Sequence, residues 1–290
     1  MSETVNCSHF ETLGEVELYF EHVGPRNAPA VLFLHGGPGY NSYSFQDQMG
    51  EFLEPLQMVY LDQRGCGRSG PLEQDLTIDD LVEDAEAVRA FLDIDQIIPL
   101  GHGFGAIIAL EYARRFPEHV PKVITINPWI HMSELAKTLL YHASQLSGVP
   151  FEDPADNASS IGLARIERAF GQIGIQTLFN SLQFIDARSR LRLEFSDTES
   201  QLLGSSDVQA SLVHQGLWEF NYAGYLLECI RPVSVIFGTH DQTSYPHQTD
   251  WLIDLVQAEP TELEAGHYPW VDDPDRLAEE IIRTVHKQDG

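Results

Sequence analysis

Residues 97–113 constrain the fold more than any other part of the chain. They begin with the apolar run Ile97-Ile98-Pro99-Leu100, which is typical of a buried strand. A glycine-rich turn follows at 101–105, and from 106 to 113 the apolar residues recur at helical spacing. A strand that enters a helix through a tight turn is a building unit of parallel α/β sheets. We therefore expect a sheet of this kind.

The turn has the glycine spacing of a nucleophile elbow, in which a serine stands at the centre of Gly-x-Ser-x-Gly. Here the sequence reads Gly101-His102-Gly103-Phe104-Gly105, so Gly103 occupies the serine position. Glycine has no side chain and cannot form an acyl-enzyme. Any chemistry at this turn must proceed without the usual nucleophile.

Strand and helix patterns alternate along the rest of the chain. An antiparallel edge strand is predicted at 16–23, and further strands are predicted at 30–34, 58–61, 122–126, 233–237 and 261–263. Helices are predicted at 45–53, 77–92, 251–256 and 274–285. The helix at 77–92 begins with Thr77 as N-cap and Asp80 in the capping-box position.

The alternation stops between residues 129 and 230. There the apolar residues follow helical periods only, as at 164–170, 175–182 and 208–218. We therefore predict an α/β fold with a mostly parallel sheet and helices on both faces. The core would comprise 1–128 and 231–290, and 129–230 would form a helical cap over it.

Two late loops supply an acid and a base. Asp241 follows the strand at 233–237, and His267 follows the strand at 261–263. Nucleophile, acid and histidine occur in this chain order in α/β hydrolases. A carboxylate of this kind orients the imidazole and stabilises its charged form. We expect Asp241 and His267 to act as a pair beside Gly103.

The segment His-Gly-Gly-Pro-Gly at 35–39 directly follows the strand at 30–34. Glycine lets a backbone N–H approach a ligand closely, and such amides stabilise developing negative charge. The amides of Gly37 and Phe104 are predicted to form an oxyanion hole. His102 is the titratable side chain closest to position 103. It could pack under the turn as a structural residue or face the substrate and lend a proton.

The segments at 35–39 and at 62–69 (Asp-Gln-Arg-Gly-Cys-Gly-Arg-Ser) resemble the proline iminopeptidase branch of the α/β-hydrolase superfamily. Asp241 and His267 match its acid and base, so the resemblance implies an α/β-hydrolase fold and hydrolysis of an amino-terminal residue from a peptide or amide. The segment Trp-Glu-Phe-Asn-Tyr at 218–222 resembles a family segment only weakly. The resemblance implies that Glu219 binds the substrate's free amino group and that the adjacent Trp218 also binds the substrate. The alternative for Glu219 is an ordinary exposed glutamate.

Three explanations of Gly103 stay open from the residues. The glycine could be a deliberate replacement of serine in a working enzyme. It could be a natural loss that leaves a small-molecule binder. The His267–Asp241 pair could also act directly, on a water or on a substrate proton, as in cofactor-free lyases and dioxygenases of the superfamily.

The composition argues against some classes of binding partner. The formal net charge is -27, from 17 Lys and Arg against 44 Asp and Glu, which argues against nucleic acid and anionic membranes. We expect a small molecule or short peptide as substrate, with no metal and no cofactor, since neither glycine cluster has dinucleotide-binding spacing. Three cysteines and the absence of a signal-peptide pattern favour the cytoplasm. The glycosylation triplets at 6–8 and 157–159 are expected to be unused.

Overall fold

The computed structural model describes residues 3–154 and 160–287, so the triplet at 157–159 lies outside the described residues. These residues form an eight-stranded sheet in the order β1-β2-β4-β3-β5-β6-β7-β8. Strands β3 to β8 pair with one another in parallel. At one side of the sheet β2 pairs antiparallel with β4, and β1 pairs antiparallel with β2. Their bounds are Thr4–Leu13, Val16–Pro25, Ala30–Leu34, Gln57–Asp62, Ile97–His102, Val123–Ile126, Val233–Gly238 and Glu259–Leu263.

The edge strand differs from the prediction. Residues 16–25 form β2, but β1 pairs with them along its whole length and is the outer strand. The prediction of an edge position for 16–23 is therefore wrong. β1 is exposed at most of its positions, so its sequence lacks the apolar alternation that signals a strand. Gly14, with φ +67°, makes the tight turn between the two strands.

The predicted helices of the core are present, together with one short helix at 269–272 that was not predicted. Their bounds are α1 Tyr43–Met49, α2 Ile78–Phe91, α3 Gly105–Arg115, α10 His247–Val256, α11 Pro269–Asp272 and α12 Pro274–His286. The capping box of α2 is confirmed, because Thr77 accepts from the Asp80 amide while the Asp80 carboxylate accepts from the Thr77 amide. Buried apolar side chains form two clusters, and strand residues of alternating direction contribute to both.

Between β6 and β7 the described residues form helices and one 3₁₀ turn, which we call the cap segment. The bounds are α4 Met132–Ser147, α5 Ile161–Ile173, α6 Ile175–Leu182, α7 Ala187–Ser200, α8 Ser206–His214, the 3₁₀ turn Leu217–Glu219 and α9 Ala223–Leu226. The helical pattern at 208–218 is interrupted because Gly216 has φ +86°, which ends α8. Within the described ranges, no helix is both long and apolar enough to cross a bilayer.

The sheet brings segments that are distant in sequence together at the carboxyl ends of its parallel strands. The carboxyl ends of parallel strands lie at the same side of a sheet, and ligands bind there in open α/β folds. Segment 35–39 follows β3, Gly103 follows β5, Asp241 follows β7 and His267 follows β8. The predicted site residues of the core therefore lie at a single edge.

Candidate active site

Gly103 lies between the end of β5 and the start of α3, with φ +53°. Its N–H donates to the carbonyl of Ile126 (3.0 Å), and its carbonyl accepts from the amide of Trp129 (3.0 Å). A residue with a side chain is strained by about 1–3 kcal/mol at such a φ, whereas glycine adopts it freely. The backbone geometry of the elbow is thus present without the serine.

The three glycines of the turn differ in the space around them. A Cβ at Gly101 would lie 2.4 Å from the carbonyl oxygen of Gly105, and a Cβ at Gly105 would lie 2.1 Å from that of Leu34. At Gly103 the nearest atoms are Nε2 and Cε1 of His267, at 3.4 and 3.6 Å. These are ordinary contact distances. Of the three positions, only 103 has room for a side chain, and that side chain would face the imidazole.

His267 and Asp241 form the expected pair. Nδ1 of His267 donates to Oδ2 of Asp241 at 2.7 Å, and the two residues are only 2% and 1% exposed. With Nδ1 protonated, Nε2 carries the lone pair and faces position 103. This is the arrangement of a general base and its orienting carboxylate.

Further hydrogen bonds keep Asp241 ionised. Its Oδ1 accepts from the amide (2.8 Å) and hydroxyl (2.5 Å) of Thr243, and its Oδ2 accepts from the hydroxyl of Ser244. Burial by itself raises the pKa of Asp241, but His267 and the two hydroxyls outweigh it and lower the pKa below its ordinary value. The carboxylate can therefore stabilise a protonated imidazole at neutral pH.

Trp129 forms one wall of the site. This residue was not identified from the sequence. Its ring stacks on the His267 imidazole with 5.0 Å between centroids and 22° between planes. On the cap segment Phe179 stacks on the same indole at 6.2 Å. Trp129 follows shortly after β6, so its place past a strand end is a signal that could have identified it.

His102 is only 2% exposed and lies against His267. Its Nε2 donates to the carbonyl oxygen of His267 at 2.9 Å, and the two ring centroids are 4.5 Å apart. Burial, and then the neighbouring His267, lower the pKa of His102 well below the ordinary histidine value. His102 is thus a neutral donor, and it also lines a cavity of about 130 Å³ beside segment 35–39. A role of His102 in substrate binding stays a prediction.

The two amides proposed for the oxyanion hole are available. Among the loops that the structure describes, no backbone hydrogen bond uses the N–H of Gly37 or of Phe104. Phe104 is the N-cap residue of α3, whose amino end carries partial positive charge. Gly37 has φ +116°, a conformation that glycine tolerates best. The pairing of these amides around an oxyanion stays a prediction.

Hydrogen bonds and ion pairs hold segment 62–69 in place. Asp62 accepts from the backbone and hydroxyl of Ser42 and from the backbone and Nε of Arg68. Arg64 instead pairs with Asp84 on α2, at 2.6 Å. These contacts shape the loop after β4 and assign it no chemistry.

Glu219 and Trp218 lie in the 3₁₀ turn of the cap segment. Oε1 of Glu219 accepts from the hydroxyl of Ser160 (2.5 Å) and from the amide of Gly162 (2.6 Å), at the amino end of α5. The carboxylate, in an exposed residue, acts here as a helix cap. Trp218 packs against the apolar core, and its carbonyl lies close to Gly162. Binding of a substrate amine by Glu219 stays a prediction, as does substrate binding by Trp218.

Two further residues that the sequence did not indicate hold the backbone of His267. Its N–H donates to the carbonyl of Gln183 at the end of α6 (2.7 Å), and its carbonyl accepts from Nδ2 of Asn127 (2.9 Å). Asn127 directly follows β6, a position that could have drawn attention, whereas Gln183 has no local signal. Within 3–154 and 160–287, no group of three or more His, Cys, Asp or Glu side chains is arranged to hold a metal.

Solved structures share this architecture along nearly the whole chain. A proline iminopeptidase-related protein from Thermus thermophilus superposes with a TM-score of 0.86 at 33% identity, covering 97% of this chain and 98% of that one. Proline iminopeptidase of Mycobacterium smegmatis superposes with a TM-score of 0.73 over 97% of this chain and 98% of that one. Its 19% identity makes it evidence of the fold alone.

Curated relatives include hydrolases of two kinds. Proline iminopeptidase of Neisseria gonorrhoeae is 38% identical over 112 residues, 37% of this chain and 35% of that protein. The chain thus matches about a third of the length of such relatives. Epoxide hydrolase 1 of Caenorhabditis elegans is 26% identical over 97% of this chain and 70% of that protein. The sequence profile of the α/β hydrolase fold matches residues 29–274, so the chain belongs to the α/β-hydrolase family, as a proline iminopeptidase-like member.

Proposed function

We propose that this site hydrolyses the bond after an amino-terminal residue in a short peptide or amide. A water above Gly103 would take the place of the serine hydroxyl. One observation carries the proposal: Nε2 of His267 lies 3.4 Å from where a Cβ at position 103 would be. The base therefore faces the point from which a nucleophile must attack, and the resemblance to proline iminopeptidases supports the choice of substrate.

The reaction balances with the groups present. Nε2 of His267 removes a proton from the water while the water oxygen bonds to the acyl carbon. The resulting oxyanion accepts hydrogen bonds from the amides of Gly37 and Phe104, each such donor being worth about 3–4 kcal/mol. The imidazolium, stabilised by Asp241, then protonates the leaving amine as the C–N bond breaks. The products are a carboxylic acid and an amine.

Turnover by this route is expected to be slow. Removal of the serine from a complete triad costs about 10⁶-fold in turnover, and the oxyanion hole and substrate binding retain about 10³–10⁴-fold over water. The chain as it stands should therefore be a weak hydrolase whose site is otherwise complete.

Restoring the serine tests the proposal. Gly103→Ser should raise the rate of prolyl-arylamide hydrolysis by about 10⁴–10⁶-fold. Gly103→Ala is the matched control, because it fills the same Cβ position without a hydroxyl and should give no gain. If the serine variant is folded but inert toward prolyl amides, other aminoacyl amides and simple esters, the proposal is wrong.

A small-molecule binder is the second candidate, favoured by the missing hydroxyl at Gly103. His267→Ala in the otherwise unchanged chain separates the two. Loss of measurable turnover in this variant excludes a pure binder. Consumption of an acidic substrate without hydrolysis, lost in the same variant, would identify a lyase or dioxygenase that uses the pair directly.

A further inference from the structure

The backbone of His267 is held at three points by groups distant in sequence. His102 and Asn127 both donate to its carbonyl oxygen at 2.9 Å, and its N–H donates to the carbonyl of Gln183. Both acceptor positions of that carbonyl are thus used. The orientation of the imidazole is therefore constrained from the main chain as well as through Asp241.

Asn127 makes further hydrogen bonds in addition to the one to the carbonyl of His267. Its Nδ2 also donates to the carbonyl of Gly266 (3.0 Å), and its Oδ1 accepts from the amide of Gly238 (2.9 Å). Gly238 ends β7, three residues before Asp241. One side chain thus links the strand end that leads to the acid with the loop that carries the base. His102 contacts only the latter of these two loops through its hydrogen bond.

The backbone alone does not extend this connection to His267. Thr239 donates to the carbonyl of Leu263 (2.9 Å) and His240 to that of Ala265 (3.0 Å), which joins the two loops up to residue 265. The Asn127 amide continues the connection to Gly266 and His267.

We propose that Asn127 is a positioning residue that sets the distance and orientation of His267 relative to Asp241. The effect on turnover rests on the proposed function, but the effect on the pair itself does not.

The chemistry of this position favours asparagine. The side-chain amide has two N–H donors and a carbonyl acceptor, which match two carbonyls and one N–H here. An aspartate would keep the acceptor but turn an oxygen toward the carbonyls of Gly266 and His267. Asn127 also has φ +44°, and asparagine is enriched in this left-handed region. The residue is fully buried, so water cannot replace the lost hydrogen bonds readily.

Gln57 offers a matched control at the opposite end of the sheet. In the amide orientation that satisfies its neighbours, it donates to the carbonyls of Arg26 (3.2 Å) and Ala28 (3.3 Å) and accepts from Nε2 of His22 (2.7 Å). It is also buried, and it begins β4. Its hydrogen-bond pattern matches that of Asn127, but its distance from the site allows general destabilisation to be separated from positioning.

The first measurement uses the chain without a serine and reads the pair directly. In proton NMR spectra the Nδ1–H of His267 should give a low-field signal. The unchanged chain and the control variant Gln57→Glu should both show this signal. Asn127→Asp and Asn127→Gly should broaden or lose it; the glycine variant removes the amide without backbone strain. A persistent, unshifted signal in a folded Asn127 variant would overturn the proposal. An equal loss of the signal in Gln57→Glu would do the same.

The second measurement uses the Gly103→Ser background. Asn127→Asp should lower kcat by about 10²-fold, the cost typical of a misplaced catalytic group, with KM nearly unchanged. Gln57→Glu should change kcat by less than about threefold. A rise in KM at constant kcat would contradict positioning. If Gly103→Ser shows no hydrolysis while the NMR signal still depends on Asn127, the proposed function fails and the positioning role stands.

Discussion

The two halves of the site are built in different ways. The acid–base half consists of two buried side chains, Asp241 and His267, held by hydroxyls, an asparagine amide and backbone groups. The nucleophile half is a backbone turn at Gly103, with φ +53° and no side chain. The strand before it and the helix after it fix its position. The comparison shows that the elbow geometry at position 103 is a property of the backbone, whereas the hydrogen-bonded pair of Asp241 and His267 exists only through its side chains.

The largest effect is expected in the acid–base half. In the Gly103→Ser background, Asp241→Asn should lower kcat by about 10⁴-fold, because the imidazole loses its tautomer and its stabilising charge. The measurement is steady-state hydrolysis of an aminoacyl arylamide. His240→Ala is the control, since His240 is exposed in the same loop and should be neutral. Unchanged turnover in Asp241→Asn would remove the distinction between the halves.

The next largest effect concerns packing around the turn. Gly105→Ala places a Cβ 2.1 Å from the Leu34 carbonyl oxygen, so backbone must move. We expect a loss of about 3 kcal/mol in the free energy of unfolding, or failure to fold, as for severe overpacking. Urea unfolding beside Gly103→Ala, which has room, gives the comparison. Equal stability of the two variants would show that the turn does not depend on close backbone contact.

A smaller loss is expected for Gly103→Ser itself. The added side chain fits but must adopt φ +53°, which should lower the free energy of unfolding by about 1–2 kcal/mol. Gly148→Ser isolates this strain, because Gly148 has φ +75° and no neighbour among the described residues within 4 Å of an added Cβ. A serine at 103 that leaves thermal stability equal or higher would contradict the elbow assignment.

The smallest effect is a pH dependence of stability caused by His102, which packs against His267. Because burial and His267 lower the pKa of His102, the folded chain leaves it neutral, whereas the unfolded chain protonates it below about pH 6.5. The unfolded state then binds more protons, so stability falls as pH falls. Between pH 7 and 5.5 the unchanged chain should lose about 1 kcal/mol more than His102→Gln. Urea titrations of both proteins at both pH values measure this difference. An equal loss of unfolding free energy in the unchanged chain and in His102→Gln would contradict a neutral His102.

Short contiguous patterns predicted much of the molecule. The strand, glycine turn and helix at 97–113, the capping box at Thr77 and the positions of Asp241 and His267 all follow from local sequence. Each depends on backbone conformation or on a residue's place just past a strand. Such features are specified within a few residues, so the sequence alone carries them.

Other features required the folded chain. The outer position of β1 depends on pairing with β2, because its exposed residues carry no apolar alternation. Glu219 caps α5 because folding brings it to Ser160, 59 residues away. Asn127 meets His267 across 140 residues. The sequence by itself determined which chemical groups the site has and in what order. Only the tertiary structure decided which distant groups hold them in place, because those contacts depend on how whole elements pack.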